Sequence, residues 1–385
     1  MFFHLLETIK MIQKQKALFL THKQLLYSEI TGGVQLCSQE FHNAISACDD
    51  LQLEDYYVPF TKNILQRVQM KLGFENYSMY DVAKDSPALL QHIESENINI
   101  VFINMASCVR YAKPIKDKFG GKVKIILLSH GNHSGDFLHL ITKPLKKTSL
   151  IRKKIKKTRL GYLISTEATY RVKYLDGVIA ISETEKQIEN WFGGKRVVFM
   201  PRKLYADFVD YEPNLDRVGF VGRLDHPPNI QGIAILLNEM IQSPMHNLKL
   251  RLVGAPDEEG RKIAEKYKCV EYLGELSDTD LEKEIASWSF FINPVWWYST
   301  GASTKLAKGI SWGIPIITTT AGMRGYYWKD GNLLVADTPK EMAKAILNET
   351  KSKDRINYWS DQARIVANNG LTENDFTSLI KSVYE

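Results

Sequence analysis

The stretch from Phe290 to Thr320 constrains the fold of this chain more than any other segment. Its sequence, FFINPVWWYSTGASTKLAKGISWGIPIITTT, predicts a buried strand, a loop, a helix carrying Lys305, a Gly-Ile-Pro turn and a second buried strand. Gly301 stands where the loop becomes the helix, so free backbone N–H groups are expected to point out of the helix start and to bind phosphate oxygens. A strand, an anion-binding helix start and a second strand form half of a nucleotide-binding βαβ unit. The free N–H groups at the expected helix start are those of Ala302, Ser303 and Thr304.

The alternation of apolar strands with helical spacings continues through most of the chain. Such alternation indicates parallel sheets that are covered by helices on both faces. Between two stretches of this kind, residues 202–216 lose the apolar periodicity and are interpreted as a linker. We therefore predict an α/β fold of two Rossmann-like, doubly wound domains facing a cleft, with the carboxyl ends of the strands directed toward it.

The length of the chain supports this division, because 385 residues are too many for one ordinary core. The predicted N-terminal domain covers residues 1–205, and the predicted C-terminal domain covers residues 217–365. A C-terminal helix is expected within residues 366–385, and packing back toward the N-terminal domain is one arrangement open to it.

The cysteine content and the apolar runs argue against several classes of protein. The four cysteines show no CxxC spacing, which argues against a zinc site or a disulfide framework and fits a reducing compartment. The N-terminus lacks the apolar core and cleavage site of a signal peptide, and no apolar run approaches the length of a membrane span. A cytoplasmic protein is therefore expected.

Residues 143–159 account for the basic character of the chain. This segment holds seven lysines and two arginines without an acid, and without these nine charges the net charge of +6 would be negative. Leucine and isoleucine alternate with the basic residues, a pattern that favours peripheral contact with an anionic membrane surface or a lipid-linked acceptor. A solvated charged face and nucleic-acid binding are the alternatives, although no nucleic-acid-binding motif accompanies the segment.

Single residues at predicted strand ends are further candidates. Arg223 follows the strand 217–221 directly and could hold a phosphate with two parallel hydrogen bonds, or could form a surface salt bridge with Asp225. For Gly301 and Lys305, the alternative is a simple turn followed by a solvated lysine.

The N-terminal half offers two more candidates. Gly33, in the sequence Thr31-Gly32-Gly33-Val34, opens a predicted helix and would let a phosphate approach closely, unless it merely forms a turn. His130 ends a predicted strand, where a ligand-facing role and a structural role are both open. The chain has no GxSxG, HExxH or P-loop motif, and neither a metal site nor a cofactor is predicted.

Six segments follow one another along the chain: TGGV, AISETEK, VGFVGRLDHPPN, LRLVGAP, EYLGELSDTDLEKEIASWSFFINP and GASTKLAKGISWGIPIITTTAGMRG. This ordered set resembles retaining GT-B glycosyltransferases of family 4, also described as glycosyl transferases group 1. The resemblance is specific from Val218 to Leu334 and looser from Ala17 to Ser182. It implies a nucleotide-sugar donor on the C-terminal domain, an acceptor mostly on the N-terminal domain, and metal-independent transfer with retention, in the assembly of cell-surface polysaccharide or glycoconjugates.

The resemblance also implies roles for particular residues. Arg223 and Lys305 would neutralise the donor diphosphate, and His130 would contact the donor sugar. Glu275 and Leu276 would hold the nucleotide base. The implied donor-binding residues are Gly33, Gly222, Glu275, Leu276, Gly301, Ala302, Ser303, Thr304 and Lys308.

One departure from the family pattern concerns the donor ribose. Lys308 stands where the family has its ribose-binding glutamate, and Thr300 stands at the earlier glutamate of the same motif. A lysine cannot accept hydrogen bonds from ribose hydroxyls, so another residue holds the ribose, the donor is unusual, or activity is impaired. An inactive partner subunit that still binds nucleotide or glycan is therefore the main alternative. An epimerase or a phosphorylase on the same architecture is another.

Overall fold

The computed structural model describes residues 14–27, 32–72, 79–142, 149–242, 248–297 and 301–385. They divide into two compact units, Met1–Met200 with Thr372–Glu385, and Pro201–Leu371. Each unit contains a six-stranded sheet in which all neighbouring strands are parallel, so the predicted fold class of two doubly wound α/β domains is confirmed. Within the described residues, no helix is both long and apolar enough to cross a membrane.

The N-terminal unit is built from six strands and the helices between them. The strands are β1 (Gln15–Thr21), β2 (Leu51–Tyr57), β3 (Ile100–Asn104), β4 (Lys124–Ser129), β5 (Gly177–Ala180) and β6 (Val197–Phe199). The helices are α1 (Lys23–Leu26), α2 (Gly33–Ser46), α3 (Ile64–Leu72), α4 (Val82–Ser95), a 3-10 helix (Ala106–Tyr111), α5 (Ala112–Phe119), α6 (His133–Thr142), α7 (Leu150–Lys173) and α8 (Glu183–Trp191).

The strand order of this sheet is β2-β1-β3-β4-β5-β6, so the chain reverses its direction of winding between β1 and β3. Alternate side chains of β1 face opposite sides. Leu18 and Leu20 join a core cluster that includes residues of α4 and α5, whereas the Phe19 ring contacts His42 of α2. Because the carboxyl ends of β1 and β3 meet where the winding reverses, this edge of the sheet is the expected ligand position.

Strand β2 was not predicted. Its sequence, LQLEDYY, places two acids in the middle of the strand, and most of its residues are only partly buried because β2 lies at the edge of the sheet. An edge strand does not need the continuous apolar run that identified the central strands.

The C-terminal unit has a sheet with the order β9-β8-β7-β10-β11-β12, in which winding reverses between β7 and β10. This is the strand order of dinucleotide-binding Rossmann folds. The strands are β7 (Asn214–Val221), β8 (Lys249–Val253), β9 (Val270–Gly274), β10 (Trp288–Asn293), β11 (Ile316–Thr318) and β12 (Leu334–Val335). The helices are α9 (Pro227–Met240), α10 (Asp257–Lys266), α11 (Asp278–Ala286), α12 (Thr304–Trp312), α13 (Thr320–Met323), α14 (Pro339–Glu349) and α15 (Lys353–Asn368).

The last helix, α16 (Glu373–Tyr384), belongs to the N-terminal unit. The hydroxyl of Tyr384 donates a hydrogen bond to Asp50 at 2.8 Å, and the Tyr384 ring packs edge-on against Phe102 of β3. Helix α16 thus covers the same sheet as α2.

The interpretation of residues 202–216 as a linker was wrong. The N–H of Asp207 donates to the carbonyl of Ser311 at 2.9 Å, and the N–H of Glu212 donates to the carbonyl of Ala286 at 3.1 Å. Strand β7 then begins at Asn214. These residues are held to the C-terminal unit by backbone hydrogen bonds, which leave no apolar periodicity in the sequence.

Candidate functional site

Gly222 and Lys305 lie together where winding reverses in the C-terminal sheet. Gly222 immediately follows β7 and has a φ of 154°, a value that favours glycine. A Cβ atom on Gly222 would lie 2.8 Å from Cδ of Lys305 and 3.4 Å from Nδ2 of Asn229. The absence of a side chain therefore lets the Lys305 stem lie directly against the backbone of this loop.

Asn229 links Lys305 to the Arg223 loop. The Lys305 ammonium donates to Asn229 Oδ1 at 2.7 Å, and Asn229 Nδ2 donates to the carbonyl of Arg223 at 2.7 Å. Asn229 itself is buried, and the Lys305 ammonium also lies 5.5 Å from the centre of the Phe220 ring. The buried amide of Asn229 therefore fixes the Lys305 ammonium close to the backbone of Arg223.

The pKa of Lys305 is lower than that of an ordinary lysine. Burial lowers its pKa to about 8, and the positive charge of Arg324 contributes to the same shift. A cation held in a partly buried place beside a second cation is stabilised when an anion binds.

Arg324 was not among the sequence-predicted site residues. It directly follows the short helix α13, and its Nη1 donates to the carbonyl of Ala321 at 2.6 Å. The only sequence signal was a basic residue in the family-like segment AGMRG, which has no motif of its own. The positive charge of Arg324 contributes to the lowered pKa of Lys305, which makes Arg324 a further candidate for the phosphate site.

Helix α12 begins later than the sequence indicated. Its first residue is Thr304 and its N-cap is Ser303. The first-turn N–H groups are therefore those of residues 304–306 rather than 302–304. Of these, the N–H of Leu306 donates to the Ser303 carbonyl at 3.0 Å. Gly301, with a φ of 79°, and Ala302 therefore precede the helix, and Ala302 packs against the core. Within the described chain, the buried Ser303 hydroxyl has no hydrogen-bond partner.

Arg223 adopts the alternative that the sequence left open. Its guanidinium forms two hydrogen bonds with Asp225, at 2.9 and 2.5 Å, and its side chain is 75% exposed. The pKa of Arg223 is raised by Asp225 first and then, more weakly, by Glu275, so these acids lie around it. A phosphate that bound Arg223 would share the guanidinium with the Asp225 carboxylate or displace it.

The remaining candidates of the C-terminal unit are Glu275, Leu276 and Lys308. Glu275 is exposed after β9, whereas Leu276 packs against the core cluster around α12. Lys308 is exposed, and its ammonium lies 5.5 Å from the centre of the Trp312 ring. Thr31 and Thr300 lie outside the described residues.

In the N-terminal unit, the structure connects the Gly33 helix with His130. Gly33 is the first residue of α2, and Ser38 of the same helix accepts a hydrogen bond from Asn104 Nδ2 at 2.9 Å. Asn104 Oδ1 in turn lies 2.8 Å from Nε2 of His130, which follows β4. Asn104 was not predicted, because a single asparagine at the end of an apolar strand carries no motif.

Other features of the described residues do not coincide with these candidates. No group of three or more histidine, cysteine or acidic side chains is placed to hold a metal ion within the described ranges. Two cavities of about 560 and 510 Å³ lie in the C-terminal unit, lined by residues 207–212 with 279–287 and by residues 335–349, and neither contains a predicted site residue.

The comparisons with known proteins agree with the fold. Residues 216–350 match the family model for glycosyl transferases group 1. Sucrose-phosphate synthase from Thermosynechococcus elongatus is similar in structure, with a TM-score of 0.63 and 13% identity over 96% of this chain and 98% of that one. No curated protein sequence matches the chain significantly.

Two other solved structures show the same likeness. The apo lipopolysaccharide outer core galactosyltransferase WaaB has a TM-score of 0.62 and 13% identity, covering 96% of this chain and 99% of that one. HepE of Anabaena, solved in complex with UDP, has a TM-score of 0.58 and 15% identity, covering 95% and 98%. Residues 216–350 thus match the glycosyl transferases group 1 model, and the whole chain shares the fold of these solved GT-B structures.

Proposed function

We propose that this protein is a glycosyltransferase that moves a sugar from a nucleotide-sugar donor to a glycan or lipid-linked acceptor. The observation that carries the proposal is the Lys305 ammonium, which Asn229 holds at 2.7 Å in the first turn of α12, within the residues that match the group 1 family model. The similar HepE was solved with UDP and with UDP-glucose, which makes a uridine diphosphate sugar the first donor to test.

The proposed chemistry depends on the leaving group. As the bond to the sugar breaks, negative charge grows on the nucleoside diphosphate, and Lys305, Arg324 and the first amides of α12 would stabilise it. Arg223 would add a further charge. If the departing phosphate accepts the proton of the acceptor, the sugar is transferred with retention and without a metal ion or a second carboxylate.

The proposed roles of single residues differ between the two units. The nucleotide sugar would be held by the C-terminal unit, with Glu275 near the base and Gly301 before the phosphate-binding helix start. Gly33 and His130 of the N-terminal unit would serve the sugar and the acceptor. Lys308 cannot accept hydrogen bonds from ribose, so we propose that another residue does so. Assembly of cell-surface polysaccharide or glycoconjugates is the proposed context.

Nucleotide binding and turnover together test this function. Titration calorimetry with UDP, GDP and CMP identifies the nucleotide, and a panel of the corresponding sugar donors with glycan and lipid-linked acceptors then tests transfer, with and without EDTA. Transfer that retains the anomeric configuration and survives EDTA supports the proposal. Binding without turnover of any donor indicates an inactive partner subunit, and neither binding nor turnover contradicts both functions.

Nucleoside diphosphate affinity should fall as the pH rises through about 8, because Lys305 then loses its proton. A bound phosphate favours the protonated form, so the midpoint in the complex should lie above that of the free protein. Arg324→Ala removes a repulsive charge and should also move the midpoint upward. Calorimetric titrations across this range check the expectation, and an affinity that stays constant through it contradicts the assignment of Lys305.

The stability of the free protein should show the opposite trend. The pKa of Lys305 is about 8 in the folded state against an ordinary value of 10.5 for lysine, so the folded state bears the cost of the buried charge at lower pH. That cost is relieved as Lys305 deprotonates, and its contribution to the free energy of unfolding should increase between these two values. Comparing the pH dependence of urea unfolding in wild type and Lys305→Met isolates this contribution.

We also propose that the first half of α7 contacts an anionic membrane surface on the cytoplasmic side. Leu150 and Ile151 are 82% and 75% exposed, and Lys153, Lys154 and Lys157 are exposed beside them. Exposed apolar and basic side chains on one helix suit the boundary between lipid headgroups and water. Residues 143–148 of the predicted basic segment lie outside the described residues.

Replacing these three lysines by alanine should weaken binding to anionic vesicles by at least about 100-fold, since each contributes about 1 kcal/mol near such a surface. Co-sedimentation with vesicles containing phosphatidylglycerol measures the effect, and vesicles of phosphatidylcholine alone should bind neither protein. The matched control replaces three exposed lysines of the C-terminal unit, Lys266, Lys268 and Lys283. Equal losses in the two triple variants would argue against a specific contact through α7.

A further inference from the structure

Four polar side chains meet where winding reverses in the N-terminal sheet. Thr21 ends β1, Asn104 ends β3, Ser38 lies on α2, and His130 follows β4. Thr21, Ser38 and Asn104 are fully buried. Asn104 Nδ2 lies 2.9 Å from both hydroxyl oxygens, and Asn104 Oδ1 lies 2.8 Å from Nε2 of His130.

Counting protons fixes the direction of these hydrogen bonds. The Ser38 hydroxyl donates its one proton to the carbonyl of Val34 at 2.9 Å. The Ser38 oxygen must therefore accept from the amide nitrogen of Asn104, and the Thr21 oxygen lies 2.9 Å from the same nitrogen. The amide oxygen therefore faces His130, and Nε2 of His130 must carry a proton to donate to it.

We propose that Asn104 is a positioning residue that holds His130 with its proton on Nε2. In the neutral ring, Nδ1 is then the acceptor nitrogen, and Asn104 would set the orientation in which His130 meets the donor sugar. This role toward a substrate rests on the proposed function, whereas the tautomer and its anchor do not.

The burial of this cluster supports a role beyond folding. A fully buried amide and two buried hydroxyls are costly unless every hydrogen bond is made, and apolar side chains would fill the same positions without that requirement. The Phe41 ring packs edge-on against His130, with ring centres 5.4 Å apart, and restricts the imidazole from another side. A ring that is held in one orientation before substrate arrives loses less entropy when it binds.

Nuclear magnetic resonance of protein labelled with ¹⁵N-histidine tests the anchor without any substrate. We expect a His130 Nε2–H resonance that is protected from exchange with water, assigned by its loss in His130→Ala. Asn104→Ala should abolish the protection. Asn293→Ala is the matched control, because Asn293 is a buried asparagine at the end of β10 whose Nδ2 donates to Thr318 at 3.0 Å.

Either of two results overturns the anchor. One is a wild-type His130 with its proton on Nδ1, and the other is unchanged protection in Asn104→Ala. Should Asn104→Ala fail to fold, Thr21→Val removes one of the two hydroxyls that hold the amide. Faster exchange of the Nε2 proton is then expected, and unchanged exchange contradicts the proposal.

A double-mutant cycle tests whether Asn104 acts through His130. Loss of one ordering hydrogen bond should lower kcat/KM for sugar transfer about 10-fold in Asn104→Ala. Adding that change to His130→Ala should cause no further loss, whereas additive losses would show that Asn104 acts independently and would overturn the positioning role. If wild type transfers no sugar from any donor, the proposed function fails, while the resonance experiment still decides the anchor.

Discussion

Lys305→Ala is expected to lower kcat for sugar transfer by about 10²–10³-fold, the scale for removing one donor aimed at a developing negative charge. The ammonium is fixed by Asn229, and the charge of Arg324 acts on it, so no neighbouring lysine can replace it without rebuilding that arrangement. Steady-state kinetics with the identified donor, together with nucleotide titration, measure the loss.

Removing the Lys305 charge should not destabilise the fold. Because burial lowers the pKa of Lys305, the folded state pays for holding the ammonium, and Lys305→Met, which keeps an apolar stem, should leave the free energy of unfolding unchanged or higher. Lys340→Ala, at an exposed position on α14, is the matched control for kinetics. Full turnover in Lys305→Ala, or an equal loss in Lys340→Ala, would contradict the assignment.

The central elements of the fold were predictable because burial leaves a strong signal. Strand β10 is buried along its whole length, and its apolar run, followed by a glycine-containing loop and an apolar helix, predicted the correct order of elements. Strand β2 lacks that signal because it lies at an edge, where Glu54 bonds His92 and Asp55 bonds His42.

The candidate site was predictable in part. Gly222 and Lys305 were identified because glycine beside a strand end and lysine at a helix start have a direct physical use with phosphate. Arg324 and Asn104 were missed because their importance comes from residues distant in sequence, the former through its charge on Lys305 and the latter through Thr21 and His130. Arg223 was identified, but its bonds to Asp225 are a matter of rotamer that sequence does not specify.

Glu189→Ala is expected to lower the free energy of unfolding by about 3–5 kcal/mol, the cost of breaking a buried ion pair by removing one partner. Arg171 and Glu189 are both fully buried, and the guanidinium donates two hydrogen bonds to the carboxylate, at 2.7 and 2.9 Å. Ser129 also donates to this carboxylate, at 2.9 Å. Without Glu189, the charge of Arg171 stays buried and loses that carboxylate.

A comparison of variants separates the buried charge from the loss of packing. Arg171→Met combined with Glu189→Leu removes both charges and should cost less than Glu189→Ala alone, because no ion is left without its counterion. Asp117→Ala breaks the exposed pair with Lys113 and should barely change the free energy of unfolding, because water screens that pair. Urea unfolding ranks the variants, and a Glu189→Ala cost as small as that of Asp117→Ala would contradict this view.

The same variant should also affect the proposed site. Ser129 precedes His130 and bonds Glu189, and Asn132 follows His130 and accepts a hydrogen bond from Arg171 at 3.0 Å. The buried pair therefore holds the chain on both sides of the histidine. In the protein that remains folded, Glu189→Ala should lower kcat/KM for transfer, whereas Asp117→Ala should not. A Glu189→Ala protein with full activity would show that the pair stabilises the unit without positioning His130.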